Sequence, residues 1–488
     1  MNEMRCPAEL ASEAWLPWSR GRGVDVWAML MAAAEGDLSA VQELAARDEG
    51  LLNCEFQYFT PLHFALRENR LSVVEYLLER TIDPLYGYGD SPVQLVRDRG
   101  YTELGDFLEA WFKDRYHMVP EGEEIAEAIK GFDEGRVRGL IDSRPELVFA
   151  ADRRGNLPIH WAALTRQLWL IDLLLERGAD IEARRPDGGR PINLGGGDYN
   201  YRNWYRDLPV SGLRSAEVVT GYLLARGAYC DISVAAKIGY YQRVVALLDE
   251  DEGLVNRLPE YVGFYNGLPL RNAAGAGHIE VVKLLLDRGA RVNEPEPRVA
   301  PFGGALHAAV GGRHYAIARL LLERGADANA MVESSGDVLH MAKVVGAPAE
   351  IVELIAARVE RRDPDIVAYE EDEAASEETR RADPTAYVAH WQHRLLSAAW
   401  WDGSTFASPE QARWLLERGL DPRLRNWLGI TALHRCAAKG RIDIAEVLLE
   451  FGADINAVEA EWAQTPRGWA VRKGQGEMAE WLGTKGAV

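Results

Sequence analysis

Cysteine is scarce in this chain of 488 residues, and its four copies are scattered. No two of them form a CxxC pair, which argues against the common structural zinc motifs and a dense disulfide framework. This usage is typical of a reducing compartment, so we expect a cytoplasmic location. No apolar run reaches the roughly 18 residues that a membrane-spanning helix requires. We therefore expect no membrane partner.

Positive charge is also in short supply. The chain has 55 Lys and Arg residues against 75 Asp and Glu residues, which gives a formal net charge of -20. Proteins that bind nucleic acids or anionic membranes present clustered Lys and Arg to the phosphate groups. We therefore expect the partner to be neither a nucleic acid nor a membrane surface.

Motifs for catalysis and for cofactor binding are missing as well. Residues 195–198 read GGGD, but the Lys and Ser/Thr that complete a phosphate-binding P-loop do not follow. His390 and His393 share one helix face without a third ligand nearby. No nucleophile motif or dinucleotide-binding fingerprint is present. We therefore predict no cofactor and no metal, and a binding protein rather than an enzyme.

The chain does contain a short unit that recurs many times. Residues 60–65 read TPLHFA, and residues 73–80 read VVEYLLER. Thr60 suits the cap of a helix, and Pro61 suits its first position, where a missing N–H costs nothing. Related pairs of segments follow within 157–180, 268–290, 305–327 and 431–454.

This pattern resembles the ankyrin-repeat family over nearly the whole chain, in about 13 units. The resemblance implies an all-α solenoid of stacked helix–turn–helix units with short turn or hairpin tips. It also implies that a partner binds on the concave face, which the first helices and the tips form. One unit cannot bury its own apolar faces, so stability should come from stacking on neighbouring units.

Four units open on a helix without the turn-proline motif, near Val24, Glu123, Asp231 and Tyr387. We interpret them as starts of sub-arrays. An acidic, proline-bounded run before the last of them fits a solvated linker. The predicted division is an N-terminal arm (1–23), units 1–3 (24–118), units 4–6 (119–230), units 7–10 (231–362), an acidic linker (363–384) and units 11–13 (385–488).

Five histidines occupy the fourth position of the TPLH-type motif. The resemblance implies that they hold the turns of adjacent units together by hydrogen bonds and carry no chemistry. Two units depart from this pattern, because Asn193 and Arg271 stand where the histidine is expected. The five histidines are His63, His160, His307, His340 and His434.

The largest departure from the repeat is an inserted segment, residues 194–212, within units 4–6. Its glycine run should shorten or break the first helix of its unit, because each Gly costs on the order of 1 kcal/mol against Ala. Tyr and Trp follow the glycines. They fit either a loop that packs on neighbouring units or a loop that contacts a partner.

Aromatic residues also occupy the tips of other units, among them Tyr58 and Tyr261. A row of such tips favours a concave face that binds a partner. The candidate binding residues are Asn193, Tyr199, Tyr201, Arg202, Trp204, Tyr205, Tyr261, Phe264, Tyr265 and Arg271.

The sequence therefore favours a scaffold that binds a protein or peptide on its concave face and its inserted segment. The alternative is an enzyme or a binder of a small, sugar-like molecule, with a pocket under residues 194–212. There Asp198 and Asp207 would supply a pair of carboxylates. A closed pocket with convergent carboxylates would favour the alternative, and an open, shallow strip would oppose it.

Overall fold

A computed structural model of the chain describes residues 4–87, 91–198, 201, 215–263, 266–333, 335–360, 382–397 and 406–488. Within these residues the chain forms 26 α-helices and one two-stranded sheet. The predicted all-α architecture of helix–turn–helix units is confirmed. The count of 13 units and the boundaries predicted for the sub-arrays stay predictions.

The helices fall into four consecutive blocks. The N-terminal block comprises α1 (Gly23–Glu35), α2 (Leu38–Arg47), α3 (Pro61–Arg67), α4 (Leu71–Leu78), α5 (Pro92–Asp98) and α6 (Thr102–Tyr116). The second block comprises α7 (Pro120–Lys130), α8 (Glu134–Ser143), α9 (Pro158–Leu164), α10 (Leu168–Glu176), α11 (Pro191–Leu194) and α12 (Ala216–Ala225).

The third block comprises α13 (Ile232–Lys237), α14 (Tyr241–Glu250), α15 (Pro269–Ala276), α16 (Ile279–Asp287), α17 (Ala305–Gly311), α18 (Tyr315–Glu323), α19 (Val338–Val344) and α20 (Ala349–Ala356). The C-terminal block comprises α21 (Pro384–Ser397), α22 (Pro409–Leu416), α23 (Ala432–Lys439), α24 (Ile442–Glu450), α25 (Pro466–Arg472) and α26 (Gly476–Thr484). Strands β1 (Met331–Val332) and β2 (Gly336–Asp337) form an antiparallel hairpin at one tip, with Met331 opposite Asp337.

Local chemistry explains where the helices begin and end. The Thr60 side chain accepts a hydrogen bond from the His63 N–H at 3.2 Å, and Pro61 occupies the first turn of α3. After the second helix of a unit the chain turns at a glycine, as at Gly289 with φ +92°. This left-handed conformation is one that only glycine adopts readily. As predicted, the glycine run shortens α11, which ends at Leu194 after four residues.

Stacking of consecutive units buries their small and aliphatic side chains. The first helices pack in series, as α13 on α15 and α15 on α17, through alanines such as Ala235, Ala273 and Ala309. Buried residues of the second block form one apolar cluster, and those of the third block form another. Val234 of α13 belongs to the former and Ala235 to the latter, so α13 joins the two clusters.

The C-terminal block packs back onto the N-terminal block, which the repeat pattern does not predict. Buried residues of both blocks form one apolar cluster. Trp427 lies with its ring centroid 5.4 Å from that of Phe59 and 6.3 Å from that of Phe64. His63 Nε2 lies 2.9 Å from a carboxylate oxygen of Glu461. The array therefore closes on itself through contacts between residues more than 350 positions apart.

The third block also reaches the N-terminal block, through its tips. Arg298 donates a hydrogen bond to the backbone oxygen of Asn53 at 3.1 Å, and its guanidinium lies 3.7 Å from the ring centroid of Tyr86. Tyr58 donates its phenolic hydrogen to Glu333. Because of these contacts, the tips of three blocks enclose a common space.

Candidate functional site

The motif histidines of the second and C-terminal blocks join neighbouring tips, as predicted. His160 Nδ1 accepts a hydrogen bond from the Leu157 N–H at 3.0 Å, and its Nε2 lies 2.9 Å from the backbone oxygen of Ala183 in the next tip. His434 makes the equivalent contact to the backbone oxygen of Gln464 at 3.3 Å. Burial lowers the pKa of His160 to about 3 and that of His434 to about 4, so both are neutral near pH 7.

His160→Ala should therefore destabilise the fold without removing any reactive group. Two buried backbone groups lose their partner, which should cost about 1–3 kcal/mol. Chemical unfolding monitored by circular dichroism measures this loss. His117→Asn is a suitable control, because His117 is exposed and Asn tolerates its left-handed backbone. Equal stability of the two variants would contradict the structural role of His160.

The two residues that replace the motif histidine are also used inside the fold. Asn193 Oδ1 accepts a hydrogen bond from the Arg190 N–H at 3.0 Å, the same bond that His160 makes. Arg271 Nε lies 2.8 Å from Glu296, and Arg271 Nη2 donates to the backbone oxygens of Gly263 and Asn266. Both side chains are buried, at 6% exposure each. Both side chains are mostly enclosed by the fold, and their role in partner binding stays a prediction.

The start of the inserted segment is held against the second block. Asp198 is buried and lies 2.6 Å from Arg185 Nη1. Tyr201 packs on Trp161 with 4.7 Å between ring centroids, and its hydroxyl accepts a hydrogen bond from Asn156 Nδ2 at 2.6 Å. At Tyr201 the geometry agrees with the packing alternative. The Asp198 carboxylate is ion-paired with Arg185, so it is not the free carboxylate that the enzyme alternative requires.

The other candidates of the inserted segment and of the adjacent tip lie outside the described residues. They are Tyr199, Arg202, Trp204, Tyr205, Phe264 and Tyr265. Tyr261 is described: it is 9% exposed, and the guanidinium of Arg185 lies 5.6 Å from its ring centroid. Tyr201 is linked to Arg185 through Asn156, and Tyr261 lies beside the same arginine.

Both of these tyrosines line a central cavity of about 890 Å³. Tips of the N-terminal, second and third blocks form its wall. The volume falls within the range of about 300–1,000 Å³ that is usual for small-molecule sites. The wall carries five tyrosines, namely Tyr58, Tyr86, Tyr116, Tyr201 and Tyr261. It also carries five arginines, namely Arg20, Arg154, Arg184, Arg185 and Arg298.

The acidic groups of the wall are partly engaged by these neighbours. Asp187 pairs with Arg185 at 2.5 Å, and Glu260 pairs with Arg184. Burial and the charge of Asp187 raise the pKa of Asp83 to about 6. Behind the wall, Glu55 accepts hydrogen bonds from Tyr86 Oη and the Tyr58 N–H, and burial raises its pKa to about 7. Two carboxyl groups at this site therefore have pKa values raised toward neutral pH.

Sequence reasoning missed Arg298 and Asp83 because neither belongs to the repeat motif. Arg298 lies in a turn between Pro297 and Val299 that is bridged at Glu296 and Ala300. The only signal was the proline-rich run 295–301 before the next motif. Its position on the cavity follows from the closure of the array.

Groups of three or more His, Cys, Asp or Glu side chains that would hold a metal ion are not found in the described ranges. In the same ranges, no helix combines the length and the apolar character needed to cross a membrane. All four cysteines are free thiols.

Comparison with known families gives matches along the chain. A family model described as ankyrin repeats (3 copies) matches residues 232–363 and 398–488. Two models described as ankyrin repeat match residues 57–86 and residues 154–183. These matches together span more than half of the 488 residues.

Curated relatives are similar over shorter stretches. A palmitoyltransferase of Lachancea kluyveri is 24% identical over 205 residues, which are 32% of this chain and 27% of that protein. A putative ankyrin repeat protein of fowlpox virus is 28% identical over 125 residues, 25% of this chain and 30% of the relative. An ankyrin repeat and SAM domain-containing protein of Rattus norvegicus is 28% identical over 169 residues, 34% of this chain and 17% of the relative. The chain thus covers less than a third of the length of each.

Proposed function

The chain belongs to the ankyrin-repeat family, and on that premise we propose that it is a scaffold that binds a protein or peptide at the mouth of the central cavity. The inserted segment 194–212 supplies contacts to this partner. The observation that carries the proposal is the place where the segment begins: Asp198 and Tyr201 are part of the cavity wall.

The rim of the cavity supports this proposal. Ile82 is 52% exposed, and the side chains of Arg184 and Glu260 are 48% and 70% exposed. An exposed apolar side chain beside charged groups is the composition expected at a protein interface with a polar rim. Aromatic side chains of the inserted segment would add contact area with little rotamer entropy to lose.

The test compares aromatic truncations within the inserted segment. Trp204→Ala and Tyr205→Ala should leave the melting temperature nearly unchanged, as for surface changes in general. At least one of them should weaken partner binding by about 2 kcal/mol, or roughly 30-fold. Tyr201→Ala should instead lower the melting temperature, because Tyr201 packs on Trp161.

The measurement is affinity purification from the source cells, followed by titration of the recovered partner. Tyr229→Ala is the matched control, because Tyr229 is 52% exposed and outside the segment. Recovery of the same partner at the same affinity with Trp204→Ala, Tyr205→Ala and Tyr229→Ala would refute the role of the segment. Equal decreases in the melting temperature of Trp204→Ala, Tyr205→Ala and Tyr201→Ala would also refute this role.

The cavity itself supports a second function, the binding of a small polar molecule. Its volume of about 890 Å³ exceeds what a peptide side chain fills, and both tyrosines and charged groups line its wall. The palmitoyltransferase relatives match only part of the chain, so they lend no support to an enzymatic role. We propose binding and no reaction.

A further inference from the structure

We propose that the central cavity binds a phosphorylated small molecule with a ring-bearing body, such as a sugar phosphate or a nucleotide, through Arg20 and Arg298. This inference rests on the second function proposed above and names its ligand class. It starts from the arginines on the cavity wall that make no close ion pair with a described residue.

Three of the five wall arginines make no ion pair within the described part of the chain. Arg184 and Arg185 are ion-paired, with Glu260 and with Asp187 and Asp198. Across the described ranges, no Asp or Glu oxygen lies within ion-pair distance of Arg20, Arg154 or Arg298. Asp48 acts on Arg20, and Arg298 acts on Glu55 and Asp83, at longer range. Guanidinium groups whose nearest carboxylates lie beyond ion-pair distance favour an anion in a partly enclosed cavity.

Arg20 and Arg298 both line the cavity. Burial and the positive charge of Arg298 lower the pKa of Arg20, while the charge of Asp48 raises it. Arg298 is also held in place, by its hydrogen bond to the backbone oxygen of Asn53 and by its stacking on Tyr86. One anion that accepts hydrogen bonds from both guanidinium groups would offset the repulsion between these two cations.

The backbone supports a role for the Arg298 side chain. Arg298 adopts φ +68°, in the left-handed region where glycine is the unstrained residue. Tyr58, another residue of the wall, adopts φ +67°. A side chain at a position that favours glycine is expected where that side chain has a task.

The chemistry of the wall selects a phosphate ester among anions. A phosphate monoester carries close to two negative charges at neutral pH and three acceptor oxygens, which suits two or more planar guanidinium groups. A carboxylate carries one charge.

The size of the cavity and its tyrosines require more than inorganic phosphate. A free phosphate fills a small part of about 890 Å³. Tyr58, Tyr86 and Tyr261 line the remaining space, where the hydroxyl groups of Tyr58 and Tyr86 are bonded to Glu333 and Glu55 and Arg298 lies on the Tyr86 ring. Aromatic side chains around such a space can pack on the ring of a sugar or a base.

The test is isothermal titration of the full chain with ribose 5-phosphate and with AMP, and with ribose and adenosine as their neutral counterparts. Inorganic phosphate serves as a third anionic probe. At least one phosphorylated probe should bind at least about tenfold more tightly than its neutral counterpart. Inorganic phosphate should bind more weakly than that probe, because it leaves the ring-binding space empty.

Variants then locate the site. Arg298→Met and Arg20→Met should each weaken binding of that probe by about tenfold or more. Arg298→Lys should also weaken it, because Lys keeps the charge but loses the planar fork. Arg177→Met is the matched control and should bind like the wild type, since Arg177 is paired with Asp142 and does not line the cavity. Thermal melts check that each variant is folded, and Arg20→Met and Arg298→Lys decide the case if Arg298→Met is not.

Three outcomes would overturn the inference. The first is failure of every phosphorylated probe to bind at millimolar concentration. The second is equal loss of binding in Arg177→Met and Arg298→Met. The third is equal affinity of each phosphorylated probe and its neutral counterpart, which would leave a small-molecule site in place while removing its ligand class.

Discussion

Trp427→Ala should open the closed array. The Trp427 ring is 7% exposed and contacts Phe56, Phe59 and Phe64 of the N-terminal block. Its Nε1 donates a hydrogen bond to Gln57 at 2.8 Å. Truncating a buried Trp at such a site should cost about 3–5 kcal/mol. This stability should be lost at the contact between the first and last blocks, because each block retains its own stacked helices.

Hydrogen exchange and thermal melting measure this opening. Amides of α3 and of α22 to α24 should exchange faster, and the melt should separate into more than one transition as the blocks unfold independently. Trp15→Ala is the matched control, because Trp15 is 63% exposed and its loss should cost no more than about 0.5 kcal/mol. Identical exchange in the two variants would show that Trp427 does not close the array.

Arg271→Met should produce the second large effect. Glu296 is fully buried, and its carboxylate lies 2.8 Å and 2.9 Å from Arg271 Nε. Removing the cation leaves this carboxylate uncompensated and deprives the Gly263 and Asn266 backbone oxygens of their donor. Breaking a buried ion pair in this way costs about 3–5 kcal/mol. Denaturant unfolding of Arg271→Met and of the wild-type chain measures this loss.

Arg271→Met/Glu296→Gln is the control for the pair. It removes the buried charge together with its partner, so it should recover part of the stability. Arg271 was a candidate for binding a partner. A single variant that melts like the wild type and binds the partner less well would restore that assignment and contradict the structural role.

The sequence determined the repeating architecture because its signals are local. Thr60 and Pro61 begin a helix by contacts within four residues, and the glycines after the second helices end the unit the same way. Alanines such as Ala273 and Ala309 fix the close packing of neighbouring first helices. A unit contacts mainly the next one, so a pattern read over about 33 residues predicts the stack. The shortened α11 followed from the same kind of signal, the glycine run after Leu194.

Only the tertiary structure decided where the tips of the units meet. Small rotations between neighbouring units accumulate along the chain, and the total rotation cannot be deduced from any single unit. This sum places Trp427 on Phe64, Arg298 on Tyr86 and Tyr58 on Glu333, over separations of several hundred residues. The same closure made Tyr261, a tip residue, part of a cavity wall. The Arg271–Glu296 pair forms within the third block, over 25 positions. The repeat pattern does not encode the contacts between blocks, so the cavity and its arginines became visible only in three dimensions.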